Sequence, residues 1–479
     1  MKIKIITLLV LVTMVALNIQ TTNAQYGSFG ITDAQTVGMG STFGSAFGTL
    51  AIGKNPAFLA YPKDTSSYIA LQIPNLGVSV LQSTMTMDDF NKYFGNKESL
   101  VLDDAGRKDF FNTFDDNNGL YYNVGSKLFA LAWKPSTEIG TFDLSMTQIA
   151  AGSMNIPLDL IDLAINGNAK GRTYTFDDMQ FKTWWLGMTT LSYARDILEF
   201  DNESFIKNLT GGISLKLVSG YAYAGMERMN ASFTTGENNV LKGKVDMLAW
   251  IAMSPDSQED SAYKEKWYNV KAPGGFDNFF PETIGSGFGF DIGVAADLAY
   301  NLRVGLSITD IGSVTWDTYA SEHSSNEEAT IDDLMKKSQR DRLEALLGDS
   351  SYAVSSFSTS LPTALRLSIA YELAKTLETI PGDLTLLLDY NQGFNDSPGN
   401  STTPRIGFGV RWQTSPYIPV ITTGFTNTLA GDLAWAFGLG FSTSIIDVCF
   451  ATQDLFTLMG SGGNPFASAA LNFIWRIKY

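Results

Sequence analysis

Few residues in this chain could do covalent chemistry. It has one His, His323, and one Cys, Cys449. A HExxH zinc site needs two histidines, and a disulfide or CxxC site needs two cysteines, so none of these is available. His323 lies between Glu322 and Ser324 in a polar stretch, with no Ser at a recognisable triad spacing. It reads as a solvated loop histidine rather than a general base. Cys449 shares a small-residue face with Asp447 and Ala451, the setting of a packed thiol rather than a nucleophile. Gly38-Met39-Gly40-Ser41-Thr42-Phe43-Gly44 approaches a dinucleotide loop. Its spacing is GxGxxxG, with no strand before it and no ribose-binding acid after it. Asp115-Asp116-Asn117-Asn118-Gly119 approaches a calcium loop, but in that register the first and twelfth ligand positions fall on Phe114 and Gly125. The chain therefore reads as no enzyme, with no catalytic residue, no metal and no cofactor.

The elements that position the remaining polar residues are strands. Of 479 residues, 44% are hydrophobic and 17% charged, with 44 Gly. That is too apolar for disorder and less charged than the ~25% of ordinary globular chains. The net charge of −16 repels phosphate backbones, so nucleic acid is not an expected partner. From residue 65 on, apolar residues recur at every second position. Phe288, Phe290, Ile292 and Val294 oppose Gly289, Asp291 and Gly293; Leu433, Trp435, Phe437, Leu439 and Phe441 oppose Ala434, Ala436, Gly438 and Gly440. Period two means strands with two different faces. A soluble sandwich would put charge on its outer face. Here the second face is mostly Gly, Ala, Ser and Thr, as in a transmembrane barrel with bulky residues to lipid and small or polar ones to the lumen.

The expected fold is all-β: an antiparallel transmembrane barrel of about 14 strands over residues 66–479. The segments are 66–82, 119–134, 139–150, 179–196, 209–226, 285–299, 302–316, 362–374, 383–393, 404–413, 419–428, 433–444, 445–453 and 467–478. Residues 241–253 are a candidate extra strand. Long connections at 83–118, 151–178, 227–284 and 317–361 alternate with short turns, so the long ones should face outward. Helical spacing predicts loop helices over 156–165 and 326–348. Leu471, Phe473, Trp475, Ile477 and Tyr479 alternate to the end of the chain.

At the other end, Lys2 and Lys4 precede an apolar run from Ile5 to Leu17, and Thr22-Asn23-Ala24 fits a cleavage site. Residues 1–24 therefore read as a signal peptide and place the barrel in the outer membrane of a Gram-negative-type bacterium. No later run reaches the ~18 apolar residues of a membrane helix.

Three groups of residues are candidates for function. The first is the segment 25–65, too Gly-rich for a regular element and too apolar to dangle. It reads as a plug inside the barrel, a hatch that carries Asn55, Pro56 and Ala57. The second is the set of inward charges Lys216, Asp291, Arg303, Arg366, Glu372, Arg405 and Arg411, joined by Asp297, Asp389 and Arg476. A buried charge needs a partner, so these should pair across the lumen and hold the plug; binding an anionic ligand head is the sharper alternative. The third is Ile73, Pro74, Asn75, Leu76 and Gly77. Alternation slips there, from Ile69, Leu71 and Ile73 to Leu76, Val78 and Val80. Pro cannot complete a ladder bond and the slip marks a bulge. This is a candidate lateral opening, or a bulge that only shapes the strand.

The sequence also resembles a known family. Asp33-Ala34, Gly38-Met39-Gly40 and Gly53-Lys54-Asn55-Pro56-Ala57-Phe58-Leu59-Ala60 resemble the amino-terminal hatch of FadL/PorV-type outer-membrane proteins. Lys216 to Tyr221, Gly289 to Gly293, Thr309 to Trp316, Pro362 to Leu373 and the last strand also fit. The resemblance implies a fourteen-strand barrel with an internal hatch and outer-membrane lipid around it. It implies passive uptake of hydrophobic small molecules such as long-chain fatty acids. For the PorV-type relatives it implies instead binding of secreted protein cargo in type IX secretion. A kinked strand that opens the wall sideways is a feature of the resembled transporters.

Overall fold

The computed structural model describes residues 33–63, 67–95, 103–114, 118–177, 179–201, 203–236, 240–253, 281–331, 350–377, 379–427 and 433–478. The expected signal peptide 1–24, and residues 25–32 of the expected hatch, lie outside them. Fourteen strands form the wall, numbered in chain order with the outer strands: β1 (Tyr68–Gln82), β2 (Gly119–Ser136), β3 (Gly140–Asn155), β5 (Gln180–Glu199), β6 (Ile206–Thr235), β8 (Gly285–Leu298), β9 (Leu302–Trp316), β13 (Ala364–Glu372), β14 (Asp383–Gly393), β15 (Arg405–Gln413), β16 (Val420–Asn427), β17 (Leu433–Ser442), β18 (Ile446–Thr452) and β19 (Phe466–Lys478). Each pairs antiparallel with the next. The ring closes where β1 pairs β19, from Tyr68↔Lys478 to Leu81↔Phe466. Closure leaves no unpaired edge, the condition for strands in lipid.

The two faces separate as the alternation requires. On β8, Phe288, Phe290, Ile292 and Val294 point outward, Phe288 73% exposed, while Asp291, Gly289 and Gly293 are buried inside. Leu215, Leu217, Leu191, Phe450 and Trp475 continue the exposed apolar band. Among the described residues no helix is long and apolar enough to cross a membrane.

The outer connections depart from the sequence reading in several places. β3 runs to Asn155 and β6 to Thr235, into stretches expected as loops at 151–178 and 227–284. The 30 residues of β6 reach roughly 100 Å when extended, so its outer part rises past the wall. There it pairs with β4 (Thr173–Thr175) and β7 (Leu241–Met253), and β7 pairs with β10 (Ala320–Ile331). Residues 241–253 are thus a strand of this outer sheet. β11 (Ser350–Ala353) and β12 (Phe357–Ser360) complete it against β10 and β9. The helix expected over 326–348 is corrected in part: residues 326–331 continue β10, because pairing with β7 outweighs the helical spacing of Ile331. Residues 332–349 lie outside the described ones. His323 is also corrected. It is buried on β10, with its Nε2 3.0 Å from Ser321 Oγ, rather than solvated in a loop.

Helices α1 (Ala34–Gly38), α2 (Met87–Phe94), α3 (Asp104–Phe111), α4 (Leu158–Asn166) and α5 (Leu455–Leu458) are short. α4 occupies the expected 156–165 stretch. Thr86, Asp103 and Asp454 cap α2, α3 and α5 through side-chain oxygens, satisfying amides that a helix start leaves unpaired.

Candidate functional site

Residues 33–63 pack within the ring as a series of turns, and their contacts reach the wall on every side. Asp33 caps α1 by accepting from Thr36 N at 2.8 Å. Its carboxylate also pairs with Lys54 inside the segment, and Lys54 Nζ donates to Leu50 O at 2.9 Å. Burial alone would raise the Asp33 carboxyl; the Lys54 charge and the Thr36 and Lys54 hydrogen bonds outweigh it and hold it below the ordinary carboxylate range.

Asn55, Pro56 and Ala57 lie at the centre, fully buried. Asn55 Oδ1 accepts from Ala57 N at 3.0 Å, and its Nδ2 donates to Val294 O at 3.1 Å and Leu306 O at 3.4 Å. One side chain thus caps the 3₁₀ turn Pro56–Ala60 and ties it to β8 and β9. The small inward residues explain the close approach. A β-carbon at Gly293 would collide with Asn55, one at Gly212 with Pro56, and one at Gly409 or Gly424 with Met39.

Wall cations bond the carbonyls of this segment. Lys127 Nζ donates to Thr49 O at 2.7 Å, and Lys134 Nζ to Ala60 O at 3.2 Å. Wall acceptors take its donors. Asn472 Oδ1 accepts from Ala34 N at 3.0 Å, Asp297 Oδ2 from Tyr61 Oη at 3.0 Å, and Asp389 from Phe43 N.

The seven inward charges fall into separate groups. Lys216 sits between Asp291 at 2.7 Å and Asp310 at 2.5 Å. Arg303 meets Asp297 at 2.7 Å and Glu372 at 3.3 Å, and its guanidinium lies over the rings of Tyr61 and Phe47 at 4.5 and 4.9 Å. Arg366 donates to Thr309 Oγ1 at 3.1 Å and lies 5.9 Å from the Phe43 ring. Arg405 Nη2 donates to Ser41 O at 3.4 Å, and Arg411 Nη2 to Gln413 Oε1 at 3.2 Å. Arg476 pairs with Asp447. Arg366, Arg405 and Lys54 together line a water-sized cavity of about 10 Å³ with Thr36, Ser41 and Phe43.

Ile73 to Gly77 contains a bulge. Ile73 and Pro74 both point outward, Gln72 and Asn75 both inward. The β1–β19 register shifts between Ile73 and Leu76, while the β1–β2 register stays in step across the interruption. Asn75 mends the wall: its Oδ1 accepts from Lys127 N at 2.7 Å and its carbonyl accepts from Ser126 Oγ at 2.9 Å.

Two features were missed in the sequence. The first is a packed aromatic cluster that joins β5, β6 and β9 of the wall to the outer strands β7 and β12. Tyr223, Trp316, Phe357 and Trp250 stack in sequence at 5.4–5.5 Å between successive partners or 6.4 Å for Trp316 to Phe357. Trp184, Leu186, Met188 and Leu361 pack with them. Trp316 and Trp184 follow the inward phase of their strands, but long loops separate the partners. The second is the loop 394–404. It turns into the lumen, where Gly399 approaches Ala151 and Asn123 on the far wall, and Asn400 Nδ2 donates to Thr363 O at 3.1 Å. Ser-Pro-Gly-Asn read simply as a turn.

Several solved structures are similar at low identity. The toluene transporter TbuX of Ralstonia pickettii is 13% identical with a TM-score of 0.45, over 94% of this chain and 98% of that one. The P. putida toluene transporter TodX is 11% identical with a TM-score of 0.42, over 93% and 98%. A Pseudomonas aeruginosa FadL homologue is 11% identical with a TM-score of 0.24, over 94% and 98%. No curated protein matches. A family model described as "Family of unknown function (DUF5723)" matches residues 56–453. That match runs from the Asn55-Pro56-Ala57 turn through all but the last strand of the ring, and the chain belongs to this family.

Proposed function

We propose that this protein is an outer-membrane channel for passive uptake of hydrophobic small molecules, long-chain fatty acids among them. The observation that carries the reading is the packed aromatic cluster that joins β5, β6 and β9 of the wall to the outer strands β7 and β12. A channel for polar solutes keeps a polar, watered lumen; here Trp184, Tyr223, Trp316 and Phe357 put packed aromatic rings at the outer end of the wall. An apolar solute gains by leaving water for such a lining. Below it stands a hatch held by hydrogen bonds and ion pairs, which can break and re-form without covalent change.

The exit in this reading is the bulge at Ile73 to Gly77, where the wall is mended by side-chain bonds rather than by an unbroken ladder. A solute leaving there enters lipid without crossing water. The test is mass spectrometry of compounds carried through purification, with uptake of a hydrophobic tracer by cells making the protein. Apolar ligands and tracer uptake are expected. A barrel that assembles, carries nothing apolar and admits no tracer sinks the proposal. Binding of secreted protein cargo would use the outer sheet, and the buried cluster gives no reason to prefer it.

A further inference from the structure

The loop 394–404 is bonded on one side only. It joins β14 to β15, and its tip meets β2 and β3, which stand on the opposite side of the ring. Within the loop the bonds are dense. Gly393 N donates to Ser401 O at 2.8 Å, Asn400 Nδ2 to Asn395 O and Oδ1 at 2.9 Å, and Thr402 N to Asp396 Oδ1 at 3.1 Å. Side-chain bonds of this kind knit a loop into one lobe. Its near side is tied to residues 360–363, which lead from β12 into β13. Phe394 N donates to Thr363 O at 2.8 Å, Asn395 Nδ2 to Leu361 O at 2.7 Å, Ser397 Oγ to Ser360 O at 2.8 Å and Asn400 Nδ2 to Thr363 O at 3.1 Å. That stretch is itself fixed. Leu361 N donates to Gly312 O at 2.9 Å and Thr363 Oγ1 to Asp310 O at 2.8 Å. Asp310 in turn is held by Lys216.

The far side is different. A β-carbon on Gly399 would lie 3.2 Å from the Ala151 β-carbon and 3.4 Å from Asn123 Nδ2. Among the described residues, no hydrogen bond or ion pair joins Pro398 or Gly399 to β2 or β3. Contact there rests on dispersion, in which each atom pair adds little. Release of the base would break the directional bonds to 360–363 together. We propose that the loop is a gate across the outer lumen, hinged at its base on residues 360–363 and opening at its tip, so that solutes pass between Gly399 and the β2–β3 wall. That opening lies beside β1, whose bulge is the exit in the channel reading, so entry and exit share one side of the barrel. The gate rests on that reading for the solute it passes, but not for its motion.

Two sets of cysteine variants in a Cys449→Ser background test it. In the first, single cysteines replace Ala151 and Asn123 under the tip, and Ala364, which pairs with Gly393 at the base. All three positions are buried. The folded protein is treated with a small charged methanethiosulfonate reagent. The two tip-side cysteines are expected to react roughly tenfold or more faster than Ala364→Cys, equivalent to ~1.4 kcal/mol easier opening. Three equally inert thiols show a fixed bar, three equally reactive ones show general breathing, and either result overturns the gate. In the second set, Gly399→Cys is combined with Ala151→Cys, and separately with Asn123→Cys. A disulfide needs β-carbons about 3.5–4.5 Å apart, close to the separation at the tip. Oxidation is expected to cross-link at least one pair and stop tracer uptake, and reduction to restore it. Failure of both folded pairs to cross-link, or uptake that continues through the locked form, overturns the gate. Gly399 has φ +76°, a strained setting for Cys, so the heat-modifiable band verifies folding, and the single-cysteine rates decide where the pairs do not fold. Tip-side reactivity in a protein that admits no tracer leaves the gate standing and removes the channel proposal; tracer uptake with an inert tip does the opposite.

Discussion

At the scale of single residues the hatch is governed by two kinds of contact. The first is the buried pair Asp33–Lys54. Removing one partner of a buried pair leaves a charge that costs ~3–5 kcal/mol, so Lys54→Met should loosen the hatch strongly. Asp33→Asn with Lys54→Met should recover most of the loss, since neither charge then remains. Limited proteolysis of the hatch in folded protein measures both; equal cleavage of wild type and Lys54→Met would show the pair is not what holds it. The pH dependence follows in sign. The Asp33 carboxyl is held low in the folded state, so its contribution is present above the ordinary carboxyl pKa and is lost as pH falls through the folded value. Hatch protection should be level through neutral pH and fail only in acid, below roughly pH 4. The second kind of contact is glycine against backbone. Gly293→Ala places a methyl where Asn55 and Pro56 already sit, an overpacking worth about 1–3 kcal/mol. It should increase hatch cleavage while the barrel band on a gel stays folded.

At the scale of elements, β1 and the outer sheet carry the argument. In β1 the bulge separates two regular stretches, and Asn75 stands in for the missing ladder bond. Replacing Pro74 and Gly77 by residues that suit a regular strand should reduce tracer uptake without reducing assembly. Unchanged uptake in a well-assembled variant would reject the lateral exit and leave the barrel intact. The aromatic cluster draws one ring from each of several elements: Tyr223 from β6, Trp250 from β7, Trp316 from β9 and Phe357 from β12. Trp316 is fully buried and its Nε1 donates to Thr359 Oγ1 at 2.9 Å. Trp316→Ala removes the shared neighbour and costs ~3–5 kcal/mol of local packing. It should lower the affinity for an apolar ligand, read as faster loss of co-purified compound on washing. Retention equal to wild type would place the ligand elsewhere.

At the scale of the whole molecule the ring closes by one pairing, β1 with β19. Everything that makes the wall independent of water depends on it, because an open edge in lipid leaves unpaired amides at a cost of several kcal/mol each. The protein should fractionate with outer membranes as a band that migrates faster before heating than after. Deleting residues 466–479 should abolish that folded band. Recovery of the full chain as a soluble monomer would contradict the membrane reading altogether.

The fourteen wall segments were legible in the sequence because each strand carries its own two-faced pattern. That pattern is set by lipid on one side and a crowded lumen on the other, and needs no knowledge of partners. The bulge at Pro74 was legible for the same reason: it interrupts a local period. The inward phase of Lys216, Asp291 and Arg303 followed from the alternation too. What only the tertiary structure decided is which residues meet. Helical spacing at Ile331 lost to pairing between β10 and β7, and His323 became buried because that pairing covers it. Lys216 takes Asp310, a residue that a register irregularity between Phe290 and Ile292 brings into reach. The aromatic cluster unites rings from residue 184 to residue 357, and the loop 394–404 crosses the lumen to Ala151. These are contacts between segments far apart along the chain. Their distances are fixed by the closure of the ring, and no local period records them.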